Sequence, residues 1–140
     1  RDRLYINASG KLKGVNKIIT MPHPGFPTDA QAVIMAALCK AYGSSIFEEN
    51  IFESRYRHVD ALVKMGADIK VIGKAAVVNG VEKLYGAKVS ATDLRGGAAM
   101  AVAGLGAEGV TEVAEIHHID RGYEDMEKAF SSLGGKIQRV

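Results

Sequence analysis

Second cysteines, blocks of like charge and long apolar runs are all missing from these 140 residues. The lone Cys39 excludes an internal disulfide framework and a zinc site built from several thiolates, so a reducing cytoplasm is the expected setting. The 18 Lys and Arg are dispersed among 16 Asp and Glu, and a net charge of +2 without a basic cluster argues against a nucleic-acid partner. No apolar stretch has membrane-spanning length, so no membrane partner is expected. Neither an initiator Met nor a basic-then-apolar leader opens the chain, which reads as the middle of a longer one. No low-complexity tract or Pro/Gly/Ser linker divides it. What is present is 47% hydrophobic and 24% charged, an ordinary globular composition with enough apolar material for a core.

The chain states one pattern twice. Thr28-Asp29 opens an apolar stretch closing at Ala41-Tyr42-Gly43, followed by a strand-like run, Arg55, an amphipathic stretch and Met65-Gly66-Ala67-Asp68-Ile69. Thr92-Asp93 opens a second, closing at Ala107-Glu108-Gly109, followed by a strand-like run, Arg121, an amphipathic stretch and Leu133-Gly134-Gly135-Lys136-Ile137. The offset between matching residues drifts only from 64 to 68, so order and spacing agree together as in a repeated supersecondary unit. Units over 13–79 and 80–140 are expected, with residues 1–12 ending a preceding unit.

Each unit parses as helix, strand, helix, strand. Thr28 has Gln31 three residues on, the capping-box spacing, so it is expected to be the N-cap of a helix from Asp29 to Ala41. That helix and its counterpart from Leu94 to Ala107 are apolar nearly all round, which predicts interior helices. The second helices carry one apolar stripe each: Val59, Leu62 and Val63, then Tyr123, Met126, Phe130 and Leu133. Strands are expected at 4–7, 17–21, 44–51, 68–72, 75–79, 110–116 and 136–140, with Gly73-Lys74 turning a hairpin. The fold class is α/β, with sheets outside and apolar helices inside.

The two Thr-Asp helix starts are the first candidates for chemistry. Asp29 and Asp93 can be caps that complement the helix dipole, or one of them can be a general base in a cleft between helix ends. Arg55, Arg95 and Arg121 recur near these starts, and their planar guanidinium groups suit carboxylate and phosphate oxygens. His58, His117 and His118 lack a helical ligand spacing, so strand or loop packing is expected and no metal site. Cys39 falls midway along the most apolar helix, where a buried, unreactive thiol is expected. No GxGxxG follows a strand, which leaves a dinucleotide site unsupported.

Several longer runs together carry a resemblance. Pro24-Gly25-Phe26-Pro27-Thr28-Asp29-Ala30-Gln31, Ile51-Phe52-Glu53-Ser54-Arg55-Tyr56-Arg57-His58-Val59, Gly80-Val81-Glu82-Lys83-Leu84, Ala91-Thr92-Asp93-Leu94-Arg95 and His118-Ile119-Asp120-Arg121-Gly122-Tyr123-Glu124 closely resemble the UDP-N-acetylglucosamine 1-carboxyvinyltransferase family over essentially residues 13–140. The resemblance implies the C-terminal part of an inside-out α/β barrel made of βαβαββ-type repeats. It implies transfer of the enolpyruvyl group of phosphoenolpyruvate to the 3-hydroxyl of UDP-N-acetylglucosamine with release of phosphate, an early step of bacterial peptidoglycan synthesis. Asp29 matches the family's aspartate that contacts the sugar hydroxyl and removes its proton. Ile51 matches a position whose main chain contacts the UDP-sugar. Arg121 matches an arginine that grips the phosphoenolpyruvate side, and Arg55 and Arg95 match arginines lining the cleft. No metal or organic cofactor is implied, and the partner expected is the missing N-terminal portion, which carries the family's loop cysteine, lysine and asparagine. Ser54 stands where the family commonly has Asn. Alternatives are the sister enzyme acting on shikimate 3-phosphate and a non-catalytic repeat domain of the same fold.

Overall fold

The computed structural model of this chain describes residues 3, 5, 7 and 10–140. Leu4 and Ile6, which the expected strand over 4–7 requires, lie outside the described residues.

Two strand–helix–strand units follow one another. In the first, β1 (Ile18–Ile19) runs parallel to β2 (Ser44–Glu48) across α1 (Thr28–Leu38). In the second, β5 (Lys88–Ser90) runs parallel to β6 (Glu112–Ala114) across α3 (Leu94–Leu105). Between them come α2 (Val59–Lys64) and the hairpin of β3 (Asp68–Ile72) and β4 (Ala75–Asn79). Gly73 turns that hairpin with φ +57°, a conformation open to glycine without a Cβ penalty. Because β4 also pairs antiparallel with β2, the first sheet has the order β1-β2-β4-β3, while β5 and β6 form a separate two-stranded sheet. Two short helices, α4 (His117–Asp120) and α5 (Met126–Ser132), follow β6.

The core lies where α1 meets α3, the most extensive contact between any two elements described. Ala32, Met35 and Ala36 of α1 and Gly97, Ala99, Met100 and Ala103 of α3 are buried, the alanines and Gly97 leaving room for the longer side chains of Met35 and Met100. Strand alternation then turns one face of each sheet inward. In β2, Ser45 and Phe47 are buried while Ser44 and Ile46 face out, and in β4 Ala76 and Val78 are buried. Phe47 is completely buried, and removing such a side chain from water contributes roughly 1.5–3 kcal/mol. Helices inside and sheets outside is the arrangement that two helices without a polar face require.

Several expectations need correction. Thr28 is not an N-cap; it is the first residue of α1, its hydroxyl donates to Glu49 Oε2 at 3.0 Å, and Gln31 is buried without closing a capping box. β2 stops at Glu48 because the Glu49 carboxylate takes the N–H groups of Ile51 and Phe52 and curls the chain. α1 ends at Leu38, short of Ala41, and α3 at Leu105. β6 is confined to 112–114 because Glu115 adopts φ +56°, which breaks the extended run and lets His117 and His118 enter a helical turn instead of a strand or loop. Val63 and Leu133, assigned to apolar stripes, are exposed. Residues 136–140 form no strand. No described residue offers 136–140 a strand to pair with, whereas β3 is paired by β4, the strand that follows it.

Candidate functional site

The carboxylate of Asp29 is the centre of the site. Asp29 is the second residue of α1, and its side chain projects from the helix start with 58% of its surface exposed. Arg55, in the loop before α2, donates from Nη2 to Asp29 Oδ1 at 2.7 Å. Arg95, the second residue of α3, donates from Nη2 to Asp29 Oδ2 at 3.1 Å. The hydrogen bond from Arg95, opposed by partial burial and reinforced by the charges of Arg95 and Arg55, holds the Asp29 carboxyl below its ordinary value. Asp29 is therefore ionised at neutral pH, and each of its oxygens keeps a lone pair free for another donor.

Each arginine is itself steadied. Arg95 Nη1 donates to the Tyr123 hydroxyl at 2.8 Å, and its guanidinium carbon stands 5.6 Å from the centre of the Tyr123 ring. The bonds to Tyr123 and then Asp29 raise its pKa, so it stays cationic. Arg55 lies 5.0 Å over the ring of Phe52. Arg121, which follows α4, brings a third guanidinium to the same open pocket of about 380 Å³ that Asp29, Arg55 and Arg95 line. Among the described residues Arg121 has no carboxylate within ion-pairing distance, so its charge faces the pocket uncompensated.

Asp93 does what a cap does: its Oδ1 accepts the Gly96 N–H at 2.8 Å at the start of α3. The two Thr-Asp pairs thus diverge. α3 begins after its aspartate, so the carboxylate folds back on the helix; α1 begins at the threonine before its aspartate, so the carboxylate is left to the arginines.

Of the five residues expected at a site, Asp29, Arg55, Arg95 and Arg121 converge and Ile51 does not. Ile51 lies on the loop after β2, 37% exposed, with its N–H given to Glu49 Oε1 at 2.9 Å. Glu49 went unnoticed in the sequence. It is only 2% exposed and joins the start of α1, through Thr28, to the loop bearing Ile51 and Phe52. Strand parity carries the signal that could have found it: counted on from Ser45 and Phe47, the inward-facing residues of β2, Glu49 falls on the same side, where a carboxylate must find donors. Tyr123 was expected only as part of an apolar stripe, and His118 also reaches the pocket wall. Among the described residues no three His, Cys, Asp or Glu side chains gather as a metal ligand set, and no helix is long and apolar enough to cross a membrane. Cys39 is buried, its Sγ donating to the Met35 carbonyl, and burial pushes its pKa up to about 12.

The family model of EPSP synthase (3-phosphoshikimate 1-carboxyvinyltransferase) matches residues 3–130. The chain is 52% identical over 139 residues to UDP-N-acetylglucosamine 1-carboxyvinyltransferase 2 of Caldanaerobacter subterraneus subsp. tengcongensis, covering 99% of this chain and 33% of that protein. It is 55% identical over 137 residues to the UDP-N-acetylglucosamine 1-carboxyvinyltransferase of Novosphingobium aromaticivorans, covering 98% and 32% respectively. The chain therefore spans about a third of the length of the curated relatives it matches. Among solved structures, the enolpyruvyl transferase NikO from Streptomyces tendae superposes with a TM-score of 0.79 at 26% identity, over 91% of this chain and 29% of that one. An EPSP synthase from Acinetobacter baumannii superposes with a TM-score of 0.55 at 23% identity, over 69% and 26%, a likeness of fold alone.

Proposed function

The chain belongs to the EPSP synthase family of enolpyruvyl transferases, and from that membership we propose that it is the C-terminal third of a UDP-N-acetylglucosamine 1-carboxyvinyltransferase. The reaction is transfer of the enolpyruvyl group of phosphoenolpyruvate to the 3-hydroxyl of UDP-N-acetylglucosamine, with loss of phosphate through a tetrahedral addition intermediate. Its place is the bacterial cytoplasm, in peptidoglycan precursor synthesis, and the rest of the same enzyme supplies the other wall of the cleft. Residues 13–79 and 80–140 are two copies of one unit; the parallel strand–helix–strand arrangement in each supports that reading.

One observation carries the chemistry: a carboxylate pinned between two guanidiniums in a pocket rimmed by a third. Asp29 accepts the proton of the sugar hydroxyl, a role that requires it ionised and within hydrogen-bond reach. Arg55, Arg95 and Arg121 neutralise the carboxylate and phosphate of phosphoenolpyruvate while charge redistributes in the transition state. The fixed Arg–Asp lattice costs little reorganisation when the substrates arrive. Ile51, outside the pocket, offers its main chain to the UDP-sugar from the neighbouring loop, which Glu49 holds against α1.

The sister reaction on shikimate 3-phosphate is less well supported, since identity is 52–56% with the UDP-sugar enzymes and stands at 23% with the Acinetobacter EPSP synthase. The decisive experiment places these 140 residues in the matching third of the Novosphingobium enzyme and follows phosphate release from phosphoenolpyruvate. Release is expected to depend on UDP-N-acetylglucosamine and not on shikimate 3-phosphate, and Asp29→Asn is expected to lower kcat by roughly 10²–10⁴-fold. Undiminished turnover by the folded Asp29→Asn enzyme would remove Asp29 as the base.

A further inference from the structure

The segment that delivers Arg121 to the pocket is gripped from its other side. Asp120, the last residue of α4, does not line the pocket; it receives both terminal nitrogens of Arg139, Nη1 at 3.0 Å to Oδ2 and Nη2 at 2.7 Å to Oδ1. Arg139 Nη2 also reaches Glu127 Oε2 of α5 at 3.4 Å. A guanidinium fork on one carboxylate fixes direction as well as distance, which a single ammonium cannot do. Through it the residues after α5 tie α4 and α5 together.

Residues 121–123, which follow Asp120 directly, touch the site at three points. Arg121 faces the pocket, and Tyr123 accepts the hydrogen bond of Arg95, which in turn holds Asp29. Gly122 lies so close to Leu94, the first residue of α3, that a Cβ there would stand 2.7 Å from Leu94 Cδ2. The stretch is therefore wedged between the start of α3 and the Arg139 fork, and a shift of its backbone moves Arg121 and the Tyr123 hydroxyl together. We propose that Arg139 is a positioning residue: by gripping Asp120 and Glu127 it sets the direction of Arg121 and the Tyr123–Arg95–Asp29 chain, and so the affinity for the anionic substrate that it never touches.

This inference rests on the reading of the pocket as the phosphoenolpyruvate site. The test uses the full-length enzyme carrying these residues, with Arg139→Gln, Arg139→Lys and Asp120→Asn, each checked for an unchanged melting transition. Arg139→Gln is expected to raise KM for phosphoenolpyruvate roughly tenfold, Arg139→Lys nearly as much because it keeps the charge and loses the fork, with KM for UDP-N-acetylglucosamine within about twofold. Adding Asp120→Asn to Arg139→Gln is expected to cost little more than either change alone. A KM for phosphoenolpyruvate that stays put, or both KM values rising together, would overturn the role. Calorimetry with phosphoenolpyruvate separates the two ideas: no binding by the unsubstituted enzyme sinks the functional reading and this inference with it, whereas equal binding by Arg139→Gln sinks this inference alone.

Discussion

Asp29 and Asp93 each follow a threonine at the start of a long helix, yet one is offered to the pocket and the other is spent on a helix end. Local chemistry makes both equally good caps and equally good bases, since capping depends on where the first helical residue falls, and only the resemblance of the longer runs singles out Asp29. His58, expected to pack in a strand or loop, is 1% exposed and lies under the start of α3. Burial pushes its pKa down to about 4, against the charge of Asp93 and a bond to the Arg55 carbonyl. The unfolded chain binds this proton near pH 6.5 and the folded chain only near 4, so its contribution is complete above pH 6.5 and declines as pH falls toward 4, by about 3 kcal/mol at most. Glu48, Asp29 and Asp120, all with lowered pKa, lose their contribution only at more acid pH. Urea unfolding at pH 7 and 4.5 should show the decline, and His58→Leu should flatten it; an equally steep decline in the variant would assign it elsewhere. Cys39, buried as its apolar surroundings predict, should resist alkylation at pH 8 until the fold opens, and rapid labelling of the native chain would contradict its burial.

Among the elements, those announced by local chemistry matched best. The hairpin over 68–79 follows from alternation on either side of a glycine turn, and the two interior helices follow from apolar faces all the way round. β5 escaped notice because three residues with one inward-facing valine make no pattern; its existence depends on β6, more than twenty positions later. The close fit of α3 to α4 was invisible for the same reason. A Cβ on Gly97 would stand 2.6 Å from Ile119 Cγ1, so Gly97→Ala should displace α4 and cost roughly 1–3 kcal/mol by overpacking. Because α4 leads directly to Arg121, the full-length variant should also bind phosphoenolpyruvate more weakly; a loss of stability with unaltered binding would show that the two helices move independently of the pocket. Residues 136–140 supply the converse case, a strand-like sequence without a strand. Their amides should exchange rapidly in the 140-residue chain and become protected in the full-length enzyme, where a neighbouring strand can pair with them; protection in the short chain would mean that they pair by another route.

At the scale of the molecule, two sheets stand open-edged around a pair of helices, and apolar side chains such as Val110, 86% exposed, face outward. Unpaired strand edges and uncovered apolar surface favour contact with further polypeptide. The 140-residue chain alone should therefore associate with rising concentration and show no enolpyruvyl transfer, both checked by sedimentation velocity and phosphate release; a monomer at every concentration would mean that these edges are self-protecting. By itself the sequence determined the α/β class, the interior helices, the central hairpin and the roster of arginines, because each is written in the periodicity or chemistry of residues close together in the chain. Only the tertiary structure decided how the Asp29 carboxylate is held. Thr28 is held by Glu49, 21 positions away, and Asp29 by Arg95, 66 positions away, and contacts at such separations depend on how the two helices pack, which no local pattern records.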